Sequence, residues 1–301
     1  MASWQARTTS FVLRHWFKPR LARTRDALEA RRIMSGGSPM PAPRGAQVTP
    51  GTVGGVAGEW VIANGVPTVA TLLYLHGGGY FACTPRTYRA VTASFALAGF
   101  KTFAPDYRLA PEHPFPAGLE DAVAAYRGLL ETHAPQQLVV AGDSAGGGLS
   151  MALLLSLRER GIPLPAAAVL FSPFVDLAAT GESARTNSAR CAMFYSESFG
   201  RAAQYYLGDR DRRAPLASPL YAELSGLPPL LIHVGADETL LDDSRRLAER
   251  AQRAGVRAEI KIWPAVPHVW QLFQSWVPEG RRSLREAGMF FAREVGATRA
   301  Q

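Results

Sequence analysis

The stretch Leu138 to Gly148, LVVAGDSAGGG, constrains the fold more than any other part of this 301-residue chain. Its apolar, β-branched start, Leu138-Val139-Val140-Ala141, predicts a short buried strand, and the spacing of Met151, Leu154, Leu155 and Leu157 predicts a long helix after Ser144. Ser144 therefore sits on a strand-to-helix turn, with Gly142 and Gly146 two residues away on either side. A turn that pushes a serine out on strained backbone leaves no room for side chains at those flanking positions. The competing reading is a glycine-rich turn whose serine only caps the helix. The rest of the chain decides between them.

Upstream, Thr71 to Leu75 reads as a strand that runs straight into His76-Gly77-Gly78-Gly79. Consecutive glycines let backbone N–H groups converge on a small anion with no Cβ in the way, as an oxyanion hole requires. Two of the six histidines follow Ser144. His233 lies in the apolar run LLIHVG and reads as a core or strand-end residue, whereas His268 sits in the proline-broken loop Trp263-Pro264-Ala265-Val266-Pro267-His268, where a mobile catalytic group is expected. Between serine and histidine, the strand Leu230 to Val234 delivers Gly235-Ala236-Asp237, which gives the order Ser, Asp, His.

With these residues the chain resembles a bacterial carboxylesterase of the hormone-sensitive-lipase family, which has the α/β-hydrolase fold. The matching segments are His76-Gly77-Gly78-Gly79, Asp106-Tyr107-Arg108-Leu109-Ala110-Pro111-Glu112, Gly142-Asp143-Ser144-Ala145-Gly146-Gly147, Asp237 with Leu240 and Asp242, and Pro267-His268. The resemblance implies a serine esterase acting on short-to-medium acyl esters without a cofactor. It also implies that Asp106, Arg108, Glu112 and His113 form an ion-paired structural loop.

In the roles this assigns, Ser144 is the nucleophile, His268 the base and Asp237 the acid that fixes the imidazole. The N–H groups of Gly78, Gly79 and Ala145 form the oxyanion hole, while His76, Gly77 and Asp143 support the motifs. Asp237 has close competitors in Glu238, Asp242 and Asp243; many relatives carry a proline after the acid, where this chain has Glu238. Strand ends place the first acid nearest a site, and Asp242 and Asp243 open the next helix as caps, so Asp237 is the choice. Tyr80, Phe81, Phe194, Tyr205, Tyr206 and Trp270 are the expected pocket lining. No histidines or cysteines have metal-ligand spacing, and no G-x-G-x-x-G opens a helix. A lactonase or a membrane-surface lipase on the same triad, and a catalytically silent ligand-binding protein on the same scaffold, are the alternatives. A silent binder has no need for a complete triad.

The net charge of +8 raises the question of a nucleic-acid partner. Residues 1–32 hold eight bases against two acids, a net +6, which leaves only +2 for the other 269 residues. Basicity is thus a property of an N-terminal arm, and the main domain has no basic stripe to hold nucleic acid. Phe11, Val12, Leu13, Trp16 and Phe17 precede Pro19, and Leu21, Leu28, Ile33 and Met34 follow it, so two short amphipathic helices broken near the proline are expected. Such an arm could cover the active site as part of a cap, lie on an anionic membrane surface, or serve as a targeting peptide. The resemblance favours the cap.

The expected organisation is a helical arm over residues 1–45, a core over 46–175, a helical cap insertion over 176–227 and a second core segment over 228–301. The linker is Ser35 to Pro50, Asn64-Gly65 predicts a hairpin between Glu59–Ile62 and Thr71–Leu75, and strands then alternate with helices to the end. That alternation predicts a mostly parallel, doubly wound sheet with helices on both faces. Cys83 and Cys191 stand far apart, which fits a reducing, cytoplasmic setting, and the absence of any long apolar run argues against stable membrane insertion. An exposed last strand, Ala258 to Ile262, offers an edge for a homodimer, and the expected partner otherwise is a small-molecule ester.

Overall fold

The computed structural model describes residues 2–36 and 42–299. Eight strands form one sheet: β1 (Ala46–Val53), β2 (Val56–Ala63), β3 (Ala70–Leu75), β4 (Phe100–Pro105), β5 (Leu138–Asp143), β6 (Ala167–Phe171), β7 (Leu230–Gly235) and β8 (Ala258–Trp263). Their spatial order is β1-β2-β4-β3-β5-β6-β7-β8, antiparallel from β1 to β4 and parallel thereafter. Strands β3, β5, β6 and β7 are buried along their whole length. Such continuous apolar runs belong to parallel strands covered on both faces.

The expected hairpin is displaced. β2 pairs with β1 across Gly54-Gly55, and its other neighbour is β4, so the Asn64-Gly65 turn does not join paired strands. The segment read as a linker is in part strand β1, while residues 37–41 of it lie outside the described residues. The sequence of β1, with Pro50 and Gly51 inside it, hides a strand because proline is confined to edge strands and glycine weakens any strand.

Ten α-helices accompany the sheet among the described residues: α1 (Trp4–Val12), α2 (Lys18–Ala22), α3 (Ala27–Ser35), α4 (Arg89–Leu97), α5 (Ala117–Leu130), α6 (Ala145–Glu159), α7 (Glu182–Thr186), α8 (Ser196–Leu207), α9 (Leu241–Arg253) and α10 (Pro278–Arg299). Helices α4 and α10 pack together on one face of the sheet, and α5, α6 and α9 on the other. No helix among the described residues is long and apolar enough to cross a membrane.

The arm is not broken at Pro19. A π-helical turn, Leu13–Phe17, joins α1 to α2 without a stop. Proline can donate no hydrogen bond to the preceding turn, and its ring crowds the carbonyl four residues back; one wide turn absorbs both defects where a regular helix would end.

The arm is tied to the segment after β6. The buried Lys18 ammonium donates to the carbonyls of Ser188 (2.5 Å) and Cys191 (2.8 Å), and Arg201 on α8 donates to the carbonyls of Thr24 and Leu21. Arg31 on α3 reaches the core, donating to the carbonyls of Phe81 and Ala110 and pairing with Glu112 at 2.6 Å. Arg108 pairs with Asp121 on α5. Two charges of the 106–113 loop, Arg108 and Glu112, thus find their partners outside the loop, not within it.

Candidate active site

Register places the chemistry. Leu75 lies opposite Gly142, Asp143 opposite Phe171, Phe171 opposite His233 and Gly235 opposite Trp263. The residues that follow these strand ends, His76, Ser144, Ser172, Glu238 and His268, therefore gather along one edge of the sheet. That edge, beyond the carboxyl ends of parallel strands, is where open α/β sheets bind ligands.

Ser144 has φ 51° and ψ −123°, a conformation rare outside glycine, and its amide donates to Phe171 O at 2.8 Å. The turn is tight on both sides: a Cβ on Gly142 would lie 2.3 Å from Gly146 O, and one on Gly146 would lie 2.1 Å from Leu75 O. The glycines are there because strand, helix and neighbouring strand meet without space for a methyl group.

Gly78 (φ 119°) and Gly79 (φ 63°) turn the loop after β3 toward Ser144, and Ala145 opens α6. No acceptor among the described residues takes the amide hydrogens of these three residues. His76 is stacked on Tyr107 with ring centres 4.3 Å apart, its Nδ1 is 2.7 Å from Gly77 O, and burial pushes its pKa down to about 4. The buried carboxylate of Asp143 accepts from the Tyr74 hydroxyl (2.8 Å) and the Gly77 amide (3.1 Å). Burial raises that carboxyl to about 6, against the hydrogen bonds that pull it down. Asp143 so joins the elbow to the glycine loop.

The carboxylate that meets His268 is Glu238 and not the expected Asp237. The ring Nδ1 of the buried His268 pairs with Glu238 Oε2, and the other carboxylate oxygen of Glu238 accepts from the Ser172 hydroxyl at 2.7 Å and the Gly235 amide at 2.6 Å. Glu238 is buried, whereas Asp237 is 38 % exposed and has Arg190 Nε 4.0 Å away. Residues 236 and 237 form the turn after β7, and in that turn one side chain points out while the next folds back over Gly235. The missing proline at position 238 was the visible signal. Ser172, the polar residue immediately after the apolar strand β6, was a second one. Asp242 accepts from the Ser183 amide and Asp243 from those of Val175 and Asp176. His233 is buried with Nδ1 2.8 Å from Ser283 Oγ.

Ser144 and His268 line one cavity of about 290 Å³, with Gly78 and Gly79 in its wall. His268 Nε2 is buried and has no hydrogen-bond partner among the described residues, so the nitrogen opposite the Glu238 contact is available. Of the expected lining, Phe81, Phe194 and Tyr205 face this space. Tyr80 and Tyr206 do not; they stack on each other with centres 3.8 Å apart and planes 6° from parallel. Trp270 is fully buried in a separate cluster with Ala6, Trp263, Val266 and Val277. The rest of the wall comes chiefly from Leu13, Phe17, Leu21, Ile33 and Met34 of the arm, and from Met193, Phe199 and Ala202 of the segment after β6. Among the described residues no cluster of His, Cys, Asp or Glu could hold a metal ion.

Comparison with known proteins agrees with this fold. A family model described as alpha/beta hydrolase fold matches residues 72–272. An acetyl-hydrolase of Streptomyces hygroscopicus is 46 % identical over 247 residues, covering 81 % of this chain and 82 % of its own. The crystal structure of an esterase from the bacterial hormone-sensitive lipase family is 44 % identical with a TM-score of 0.91, over 98 % of this chain and 99 % of that one. That of EstE5 soaked with p-nitrophenyl butyrate is 40 % identical with a TM-score of 0.93, over 98 % and 100 %.

Proposed function

This chain belongs to the alpha/beta hydrolase fold family, as a carboxylic ester hydrolase of the bacterial hormone-sensitive-lipase type, and from that premise we propose that it cleaves short-to-medium acyl esters through an acyl intermediate on Ser144. The observation that carries this assignment is the His268–Glu238 pair, with the opposite ring nitrogen free in the cavity that Ser144 lines.

In the first half-reaction Ser144 Oγ attacks the acyl carbon while His268 Nε2 takes its proton. The carbonyl oxygen becomes an oxyanion held by the N–H groups of Gly78, Gly79 and Ala145, each donor contributing about 3 kcal/mol in comparable hydrolases. Collapse breaks the acyl–oxygen bond, and the leaving alkoxide takes the proton from His268. Water then attacks the acyl-serine with His268 again as base, which releases the carboxylic acid and restores Ser144. Glu238 keeps the imidazole proton on Nδ1 and stabilises the imidazolium as it forms. Arm and insertion act together as a cap that walls the acyl site; the support for this is the set of cavity residues that both contribute.

The cavity lies near the lower end of the range for small-molecule sites, about 300–1,000 Å³. One relative is named an acetyl-hydrolase and one structural neighbour was soaked with a butyrate ester. Both favour short chains. A panel of p-nitrophenyl esters from acetate to palmitate tests this: kcat/KM should peak around butanoate to hexanoate and fall steeply by dodecanoate, since each methylene that fits gains up to about 0.8 kcal/mol and each one beyond the wall gains none. Rising efficiency through palmitate overturns it. A cytoplasmic setting is supported by two cysteines that are buried and unpaired, and a homodimer by β8, an edge strand with a partner on one side only.

A further inference from the structure

The arm faces two ways. Its inner side, through Leu13, Phe17 and Leu21, walls the cavity. Its outer side carries Trp4, Phe11, Val12 and Trp16, exposed by 61, 54, 46 and 63 %. The ring of Trp4 meets the exposed Trp276 edge-on at 5.0 Å, and that of Phe11 lies 4.1 Å from His15 and 6.0 Å from Trp16. Single exposed aromatics are ordinary on soluble proteins, but a row of them along one helix is not. The π-helical turn keeps this row together, because its extra width leaves Leu13 and Phe17 inside while His15 and Trp16 stay outside.

Charge accompanies the aromatics. Trp16 lines a shallow groove with His15, Pro19, Ile33, Arg20, Arg23 and Arg32, and with Glu29 as its acid. Arg7, Arg20, Arg23 and Arg32 have no ion-pair partner among the described residues, in contrast to Arg31, which is taken up by Glu112. This is the segment that holds six of the eight net positive charges of the chain.

We propose that the outer face of residues 4–32 adsorbs to an anionic lipid bilayer. Indole and phenyl rings settle at the headgroup level of a bilayer, and guanidinium groups pair with its phosphates. A helix with aromatics and arginines on its free face lies in that interface and does not span it. The charge complementarity selects an anionic leaflet, where each arginine near the surface strengthens binding about fivefold. Adsorption holds the ester cavity one helix diameter, about 10 Å, from the lipid. Esters dissolved in the membrane then reach the site from a concentrated local pool.

The test is flotation of the full-length protein with phosphatidylcholine vesicles that contain either no anionic lipid or about one-third phosphatidylglycerol, a content set by the surface charge the proposal needs. Binding to the second and not the first, reversed by about 0.5 M salt, is expected because screening shortens the reach of the charges. The double reversal Arg20→Glu/Arg23→Glu should weaken it at least about 25-fold, and Phe11→Ser/Trp16→Ser should weaken it as well. Turnover of a soluble butyrate ester reports folding of both variants, since none of the four residues lines the cavity. Equal binding to both vesicle types, or variants that bind like the parent, overturns the proposal. So does a concentration-dependent dimer that Phe11→Ser/Trp16→Ser abolishes without any vesicle binding, which would make the ridge an interface between copies.

Discussion

Glu238→Gln is the substitution that separates geometry from sequence order. Two donors, the Ser172 hydroxyl and the Gly235 amide, point at one carboxylate oxygen of Glu238, and His268 Nδ1 meets the other. In the glutamine variant the amide oxygen must occupy the first position, because the Gly235 amide can only donate and cannot face an NH2 group. The NH2 group then faces Nδ1 and donates to it, so the imidazole proton moves to Nε2, the atom that should accept from Ser144. Shape and volume are preserved while the base is blocked. An acid-to-amide change in a serine triad costs about 10⁴ in kcat, or about 5.4 kcal/mol of transition-state stabilisation at 1.36 kcal/mol per decade. Asp237→Asn removes only an exposed contact 4.0 Å from Arg190, worth less than about 1 kcal/mol, and activity should stay within about fivefold. The assay is kcat and KM for p-nitrophenyl butyrate with both variants, and near-UV circular dichroism to confirm the fold. A Glu238→Gln enzyme within tenfold of the parent, or an Asp237→Asn enzyme that loses more than a hundredfold, would refute the reasoning.

Ser144→Ala should remove ester turnover by several orders of magnitude and leave the unfolding midpoint nearly unchanged, since the backbone strain at φ 51° is the same for either residue; turnover within tenfold of the parent contradicts the assignment. A sulfonyl fluoride should label the parent once, at Ser144, and His268→Ala should suppress that labelling, as mass spectrometry of the intact protein would read. Phe17→Ala opens the arm side of the cavity wall, so the chain-length optimum should move to longer acyl groups; an unchanged profile argues that this wall does not limit the acyl chain. Burial lowers His233 to about 4, so between that pH and its usual value near 6.5 the unfolded chain binds more protons and stability falls as pH drops. His233→Gln should flatten this acid limb by up to about 1.4 kcal/mol per pH unit, measured as urea unfolding at pH 7 and 5, and an identical slope would sink the idea.

The parallel half of the sheet was legible because burial on both faces forces unbroken apolar runs: β5 and β7 begin where Leu138 and Leu230 begin to read as strand. The antiparallel edge was not. β1 carries Pro50 and Gly51, and its pairing rests on a Gly54-Gly55 turn while the stronger-looking Asn64-Gly65 turn leads elsewhere. Local turn chemistry says that the chain reverses; it does not say which strand lies alongside. The continuous arm is a similar case. Pro19 signals a defect in a helix, and whether the defect ends the helix or widens one turn depends on what the two sides must face. Here the cavity on one side holds Leu13, Phe17 and Leu21 in line.

Within the site, motifs that act through backbone could be read because glycine is the only residue that fits them, as at Gly142 and Gly146. Residues that act through side-chain direction were harder. Tyr80, Tyr206 and Trp270 are as aromatic as Phe81, Phe194 and Tyr205, but the first three satisfy the core and the second three face the cavity, and composition is blind to that choice. The acid shows the same difficulty at higher stakes. Asp237 and Glu238 are adjacent carboxylates on one turn, and a single step along the chain swaps solvent for core. What resolves them is the cost of burying a charge: a carboxylate hidden beside a histidine must be met by donors on its remaining lone pairs. Only Glu238 of the two has them, from Ser172 and Gly235, and its extra methylene supplies the reach back over the strand end. A polar Ser172 closing the apolar run Ala167–Phe171 is therefore a partner in search of a buried acid, and it is the residue from which Glu238 could have been inferred.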